Sequence, residues 1–186
     1  VDTTTSLGFP ARSFSSKGKT GVLTETYPFE LVGEYAHTLR SMEHHKRRGE
    51  AIENVAEWST KDEVLPMRKI IAKKTRGIAM SPFHQTFDCK KYFGAFVNSM
   101  MENRIQNLSG VGVDINSPEW NKLITKLMTN KVGGFDGDFK DFDSLLNPQM
   151  LAHVSQVILS WYRANSSSAG PHFEEEQRVR CDLFKD

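Results

Sequence analysis

Four carboxylates fall within eight residues of the segment GGFDGDFKDFDS, Gly133 to Ser144: Asp136, Asp138, Asp141 and Asp143, with Lys140 as the only opposing charge. At a separation of about 6 Å and an effective dielectric of about 20, each pair repels by roughly 2 to 3 kcal/mol, so a compact arrangement calls for something positive. The local geometry is restricted too. Side chains alternate along a strand, so Asp136 and Asp138 share a face, whereas Asp138 and Asp143 do not unless the chain turns between them. Shortly afterwards Asn147 and Pro148 form a helix-start signal, a capping residue followed by proline at the first helical position. The predicted arrangement is a strand ending at Asp138, a turn over Phe139 to Phe142 and a helix beyond, with several carboxylates round the mouth of one site.

Hard oxygen donors of this kind suit Mg²⁺ or Mn²⁺, and Mg²⁺ usually completes its shell with waters and substrate phosphates. A solvated acidic turn is the competing reading. An EF-hand loop is excluded by register: counted from Asp136, its glycine position falls on Asp141 and its final glutamate position on Asn147. The D-G-D of residues 136 to 138 is also compatible with a glycosyltransferase that holds a metal-bound sugar nucleotide.

The net charge of +1 hides a sorting of charges along the chain. Val64 to Met80 carries Arg68, Lys69, Lys73, Lys74 and Arg76 with no acid, a pattern suited to a polyanion. Arg can grip phosphate through paired hydrogen bonds and Lys acts as a point charge. With 186 residues, 38% of them apolar, the chain can bury a sizeable core and is not a disordered tail. Cys89 and Cys181 are the only cysteines and lack metal spacing, so no disulfide framework or thiolate zinc site is predicted and a reducing compartment is expected. There is no apolar run long enough for a membrane span and no signal-peptide pattern. The first residue is Val rather than Met, which leads us to expect a chain cut from a longer polypeptide.

Along the chain, residues 1 to 22 read as extended segment and loop with no core element. From Pro28 the spacing of Leu31, Tyr35, Leu39 and Met42 predicts a helix closed by EHHKRRGE. The segment VLPMRKIIAKKTRGIAM, residues 64 to 80, reads as two strands joined near Ala72 to Lys74, a basic ribbon. Helices are predicted from Phe83 toward Ile105, from an N-cap at Ser117, and from Asn147, the last with Leu151, Val154, Ile158 and Trp161 as its buried stripe. EEEQRVR near the end reads as a solvated face.

Four segments in order give a resemblance. TSLGFP (Thr5 to Pro10), KDEVLPMRKIIAKKTR (Lys61 to Arg76), GVGVDINSPEW (Gly110 to Trp120) and FDGDFKDFDSLLNP (Phe135 to Pro148) together resemble the RNA-dependent RNA polymerase of picornavirus-like positive-strand RNA viruses, from residue 5 to about residue 162. The resemblance implies an α+β right-hand polymerase fold, present as fingers and the first part of the palm: a fingers portion over 1–84, a palm portion over 85–165 and a return toward the fingers over 166–186.

It also implies residue roles. Asp138 and Asp143 match the D-x-x-x-x-D of the first palm motif, in which the first Asp ligates the catalytic Mg²⁺ or Mn²⁺ and the second senses the ribose 2′-hydroxyl of the nucleotide. Phe139 stands where a main-chain carbonyl commonly joins the metal shell. Lys61, Lys69, Lys74 and Arg76 match the basic fingers motif over the nucleotide channel, with Lys69 and Arg76 the foremost triphosphate contacts. Leu65 replaces a residue that is often basic in the family, and Arg68 is the nearby cation that could substitute. Thr5, Ser6, Gly8 and Pro10 match the loop lining the template entrance. Asp136 and Asp141 receive no metal role.

The Gly-Asp-Asp metal motif and the combined Ser-Gly and Thr/Asn template-nucleotide motif of the family do not occur in these residues, so the isolated chain is expected to be inactive. Template and primer RNA, ribonucleoside triphosphates and other viral replication proteins are the implied partners, and the host cytoplasm, at replication complexes, the implied location. Two alternatives stand beside this reading: a non-catalytic RNA-binding module that uses only the basic ribbon, and a metal-dependent glycosyltransferase.

Overall fold

The computed structural model describes residues 6–129, 133–140, 142–166 and 170–185; Thr5, Asp141 and the side chain of Asp143 fall outside that description. The described residues are mixed helix and strand: α1 Gly33–Arg47, β1 Glu57–Thr60, α2 Met67–Ile71, β2 Gly77–Met80, α3 Phe83–Glu102, α4 Pro118–Leu127, α5 Phe142–Leu145, α6 Pro148–Ala164 and α7 Phe173–Leu183, preceded by two short 3-10 turns. Two compact units result, Val1–Tyr92 with Pro171–Asp186 and, separately, Phe93–Gly170.

The first unit is built round Leu7, Ala11, Val22, Leu23, Tyr35, Leu39 and Phe83. The expectation that residues 1 to 22 hold no core element is therefore corrected. Their apolar side chains follow neither a period of 2 nor of 3.6, but turns fold them inward: Arg12 N–H donates to Gly8 O at 2.8 Å and Val22 N–H to Lys19 O at 3.1 Å. The helix expected from Pro28 starts later, at Gly33. The main chain before it is engaged elsewhere, with Thr24 N–H donating to Glu30 O and Val32 N–H to Val22 O, each at 2.9 Å.

Glu43 Oε1 ties α1 to α3. It accepts from Arg47 Nη2 at 2.9 Å, Lys91 Nζ at 2.7 Å and the Tyr92 hydroxyl at 2.9 Å. Arg47 also reaches Glu175 on α7 at 3.3 Å. The solvated face expected of EEEQRVR is corrected as well, because Gln177, Val179 and Arg180 are buried. Burial of the Arg180 guanidinium is tolerable since its donors are used, Nε on Tyr92 O at 2.9 Å and Nη2 on Glu176 at 3.0 Å.

In the second unit, Phe96 on α3 meets Trp161 on α6 edge to face at 5.5 Å, and Phe96 N–H donates to the Tyr162 hydroxyl at 3.2 Å. Lys126 on α4 donates to the carbonyls of Ile105 and Gln106 at 3.1 and 2.8 Å, where α3 has just ended and carbonyls lack helical partners. Asn147 caps α6 as predicted, its Oδ1 accepting from Met150 N–H at 2.8 Å. Ser117 occupies the cap position of α4 but donates its hydroxyl to Asp114 O instead. The stripe predicted for α6 is buried only in part: Leu151 and Val154 are exposed, and the packing falls on the later turns at Trp161 and Tyr162.

Candidate functional site

The basic ribbon forms, with a different first strand from the one predicted. β2 pairs antiparallel with β1, in the register Glu57 with Met80, Trp58 with Ala79, Ser59 with Ile78 and Thr60 with Gly77. Met67–Ile71 is a helical turn, not a strand. Proline cannot donate to a sheet ladder, and here Pro66 O instead accepts from Lys69 N–H at 2.8 Å, opening the turn. Lys73, with φ of 53°, ends it in the left-handed region.

The cations named from sequence all lie on this hairpin. Lys61, Arg68, Lys69, Lys74 and Arg76 are exposed. Two of them are brought together, since Lys61 N–H donates to Arg76 O at 2.9 Å, continuing the ladder past Thr60 and Gly77. Lys74 N–H donates to Lys69 O at 2.9 Å, so those two meet across the turn.

Glu63, a residue the sequence reading passed over, organises the group. Arg76 Nε donates to Glu63 Oε1 at 2.9 Å and Arg76 Nη2 contacts Oε2, the paired geometry of a guanidinium on a carboxylate. Lys61 Nζ lies 3.9 Å from the same carboxylate. The Arg76 hydrogen bond, reinforced by the charges of Arg76, Lys61 and Lys69, holds the Glu63 carboxyl below its ordinary range. Arg76 is correspondingly shifted up. Its side chain nevertheless stays largely open to solvent, so it is oriented without being covered. The sequence signal was available: Glu63 is the last acid before five cations, two residues beyond Lys61.

At the loop matched to the template entrance, Gly8 has φ of 67° and is buried. A Cβ there would lie 3.2 Å from Ser81 O and 3.4 Å from Pro82 Cα, so only glycine fits without displacement. Ser6 Oγ accepts from Gly8 N–H at 3.1 Å, and Phe83 N–H donates to Leu7 O at 3.0 Å. Beside this loop lies a cleft of about 550 Å³ lined by Ser6, Leu7, Arg12, Ser15, Ser16, Lys17 and Gly18. Pro10 is half-buried nearby in sequence, and Thr5 lies outside the described residues.

Asp138 belongs to the second unit. The strand predicted to end at Asp138 is absent: residues 133–139 carry no regular secondary structure. A strand exists only when a neighbour takes its hydrogen bonds, and among the described residues the sole sheet is the β1–β2 pair. The carboxylates of Asp136 and Asp138 are exposed, and the Phe139 ring stacks at a tilt on Phe142 with centroids 5.5 Å apart. Asp143 falls on α5, directly before the Asn147 cap of α6.

The donor types here, an open carboxylate on Asp138 and the adjoining main-chain carbonyl of Phe139, fit a hard divalent cation. They are too few to hold one alone. Among the described residues no group of three His, Cys, Asp or Glu side chains could enclose a metal.

A family model described as viral RNA-dependent RNA polymerase matches residues 1–178. The chain belongs to that family. Among curated proteins this polymerase-family chain is similar to the replicase polyprotein of acute bee paralysis virus (strain Rothamsted), 27% identical over 174 residues, covering 91% of this chain and 9% of that polyprotein. The replicase polyprotein of Drosophila C virus (strain EB) is 30% identical over 175 residues, covering 88% and 10%. The genome polyprotein of deformed wing virus is 28% identical over 169 residues, covering 84% and 6%. The chain thus spans a tenth or less of the length of these relatives. No helix among the described residues is long and apolar enough to cross a membrane.

Proposed function

We propose that this chain is the fingers and first palm portion of a right-hand polymerase that transfers ribonucleotides to an RNA 3′-hydroxyl under template direction. The single observation that carries the reading is the family match over residues 1–178, which takes in all four motif segments. In this reading Ser6, Gly8 and Pro10 line the template entrance, and Lys61, Lys69, Lys74 and Arg76 receive the triphosphate, with Arg68 in place of the cation missing at Leu65. Positive charge preorganised on a hairpin stabilises charge building on the triphosphate oxygens, the electrostatic part of such catalysis.

Glu63 acts through Arg76. A guanidinium already fixed on one edge has less freedom to lose when it meets a phosphate, which favours binding. Asp138, with the carbonyl of Phe139, would hold Mg²⁺, and carboxylates from a second segment of the whole protein would complete the shell. When bound, the ions would lower the barrier by activating the primer hydroxyl and stabilising the pyrophosphate leaving group. Asp143 would read the 2′-hydroxyl, the group that separates ribonucleotides from deoxyribonucleotides.

The experiment is primer extension by the whole polymerase that contains this chain. Asp138→Ala is expected to abolish incorporation with Mg²⁺ while leaving RNA binding largely intact, and the chain of residues 1–186 alone is expected to give no turnover. Incorporation that survives Asp138→Ala would remove the proposed role.

A further inference from the structure

Trp58 stands on β1 with 72% of its surface exposed. It pairs with Ala79, and Thr60 pairs with Gly77, so alternation puts these four residues on one face of the hairpin. Apart from Trp58 that face carries only small side chains. The indole leans across Gly77: a methyl group built on that glycine would overlap Cζ2 and Cε2 and come within 2.7 Å of Nε1. Glycine at 77 therefore makes room for the ring to lie against the main chain, leaving its other face open.

An aromatic ring held this way has little rotational freedom left to lose on contact, and it offers one flat apolar surface. The surroundings favour a polyanion. Beyond Thr60 and Gly77 the hairpin runs on into Lys61 and Arg76, about 10 Å along the strand from Trp58 and, by the same alternation, set toward the opposite face, so a chain stacked on Trp58 would reach them round the edge of this two-stranded ribbon; Lys69 and Lys74 follow at the turn. Two of its acids are already engaged, Glu57 with Arg12 at 2.7 Å and Glu63 with Arg76. A ligand with flat π-faces strung on a chain of negative charges satisfies both features.

We propose that Trp58, seated on Gly77, is a stacking platform for a base of single-stranded RNA whose phosphates are held by the cations of the same hairpin. The choice of RNA as the nucleic acid rests on the polymerase reading above. Stacking on an aromatic side chain is sequence-tolerant, because every base has a π-face. It also releases no counterions, which separates it from the phosphate contacts.

The test uses the whole polymerase and a short unstructured oligoribonucleotide. Trp58→Ala is expected to weaken binding by at least about fivefold, with the slope of log affinity against log salt unchanged. Trp58→Phe is expected to keep most of the affinity, and Gly77→Ala, which displaces the indole, to lose it as Trp58→Ala does. Replacing Lys61 or Arg76 should instead flatten the slope by about one. In hydroxyl-radical footprinting of the wild-type protein, Trp58 should be oxidised when free and protected by the oligonucleotide.

Unchanged affinity in Trp58→Ala would overturn the proposal, as would a ring already shielded before RNA is added, which would mean that protein covers it. Wild-type primer extension separates the two levels. A protein that extends primers while Trp58→Ala binds normally refutes the platform alone, whereas a protein that extends nothing refutes the polymerase reading.

Discussion

The ammonium of Lys46, near the end of α1, sits 2.7 Å from the Asp88 carboxylate on α3, with 4% and 7% of the two side chains exposed. Two charges taken out of water lose several kcal/mol of hydration each, and their attraction offsets this only while both are present. Single replacement strands the survivor. Asp88→Asn or Lys46→Met is expected to cost about 3 to 5 kcal/mol, read as a lowered unfolding midpoint. The double variant Lys46→Met with Asp88→Leu should recover a large part of the loss.

Glu43 gives stability a dependence on pH. Burial alone would raise its carboxyl, but hydrogen bonds from Lys91, Tyr92 and Arg47 outweigh that and hold it below the ordinary value of 4.5. A folded-state pKa below the unfolded one means that the contribution is complete above the unfolded value and disappears as pH falls through the folded one. Unfolding midpoints followed downward from pH 6 should therefore decline below about 4.5, and Glu43→Gln should remove that component of the decline while lowering the midpoint at neutral pH.

Arg76→Lys keeps the charge on the hairpin and removes the paired hydrogen bonds to Glu63. The Glu63 carboxyl should then rise toward 4.5, its ordinary value, because that contact is what chiefly holds it down. Carbon-13 titration of the glutamate carboxyls in wild type and variant reads this directly. The same variant is expected to raise KM for nucleoside triphosphate several-fold; an unaltered Glu63 titration would show that the pairing does not persist in solution.

Asp143 should control sugar choice. Asp143→Ala is expected to raise deoxyribonucleotide use relative to ribonucleotide use in primer extension, since a lost hydrogen bond to the 2′-hydroxyl affects only the ribose substrate. An unchanged ratio would remove the proposed role, even if total activity fell.

Much of the helical fold was legible because helices announce themselves locally. The run from Phe83, the Pro118 start and the Asn147–Pro148 cap each depend on residues within a few positions of one another, and α3, α4 and α6 follow them. The hairpin was legible in kind and misplaced in register. Pairing with Glu57–Thr60 is a choice between distant segments, which no local period reports, and Pro66 turned the nearer candidate into a helical turn. Leu7, Ala11 and Val22 gave no periodic signal, so their burial became visible only once turns had folded them onto Tyr35 and Phe83.

By itself the sequence determined which chemistry is present: a segregated run of cations, a cluster of carboxylates, and four motifs in the order of a viral RNA polymerase. Residue type and spacing suffice for that, because charge and donor atoms belong to the residues themselves. Tertiary structure alone decided which groups act on one another. Glu63 finds Arg76 across thirteen positions, Lys46 finds Asp88 across forty-two, and Trp58 finds Gly77 only through strand register. Such contacts are settled by the competition among all possible packings of the chain, and that competition has no local imprint.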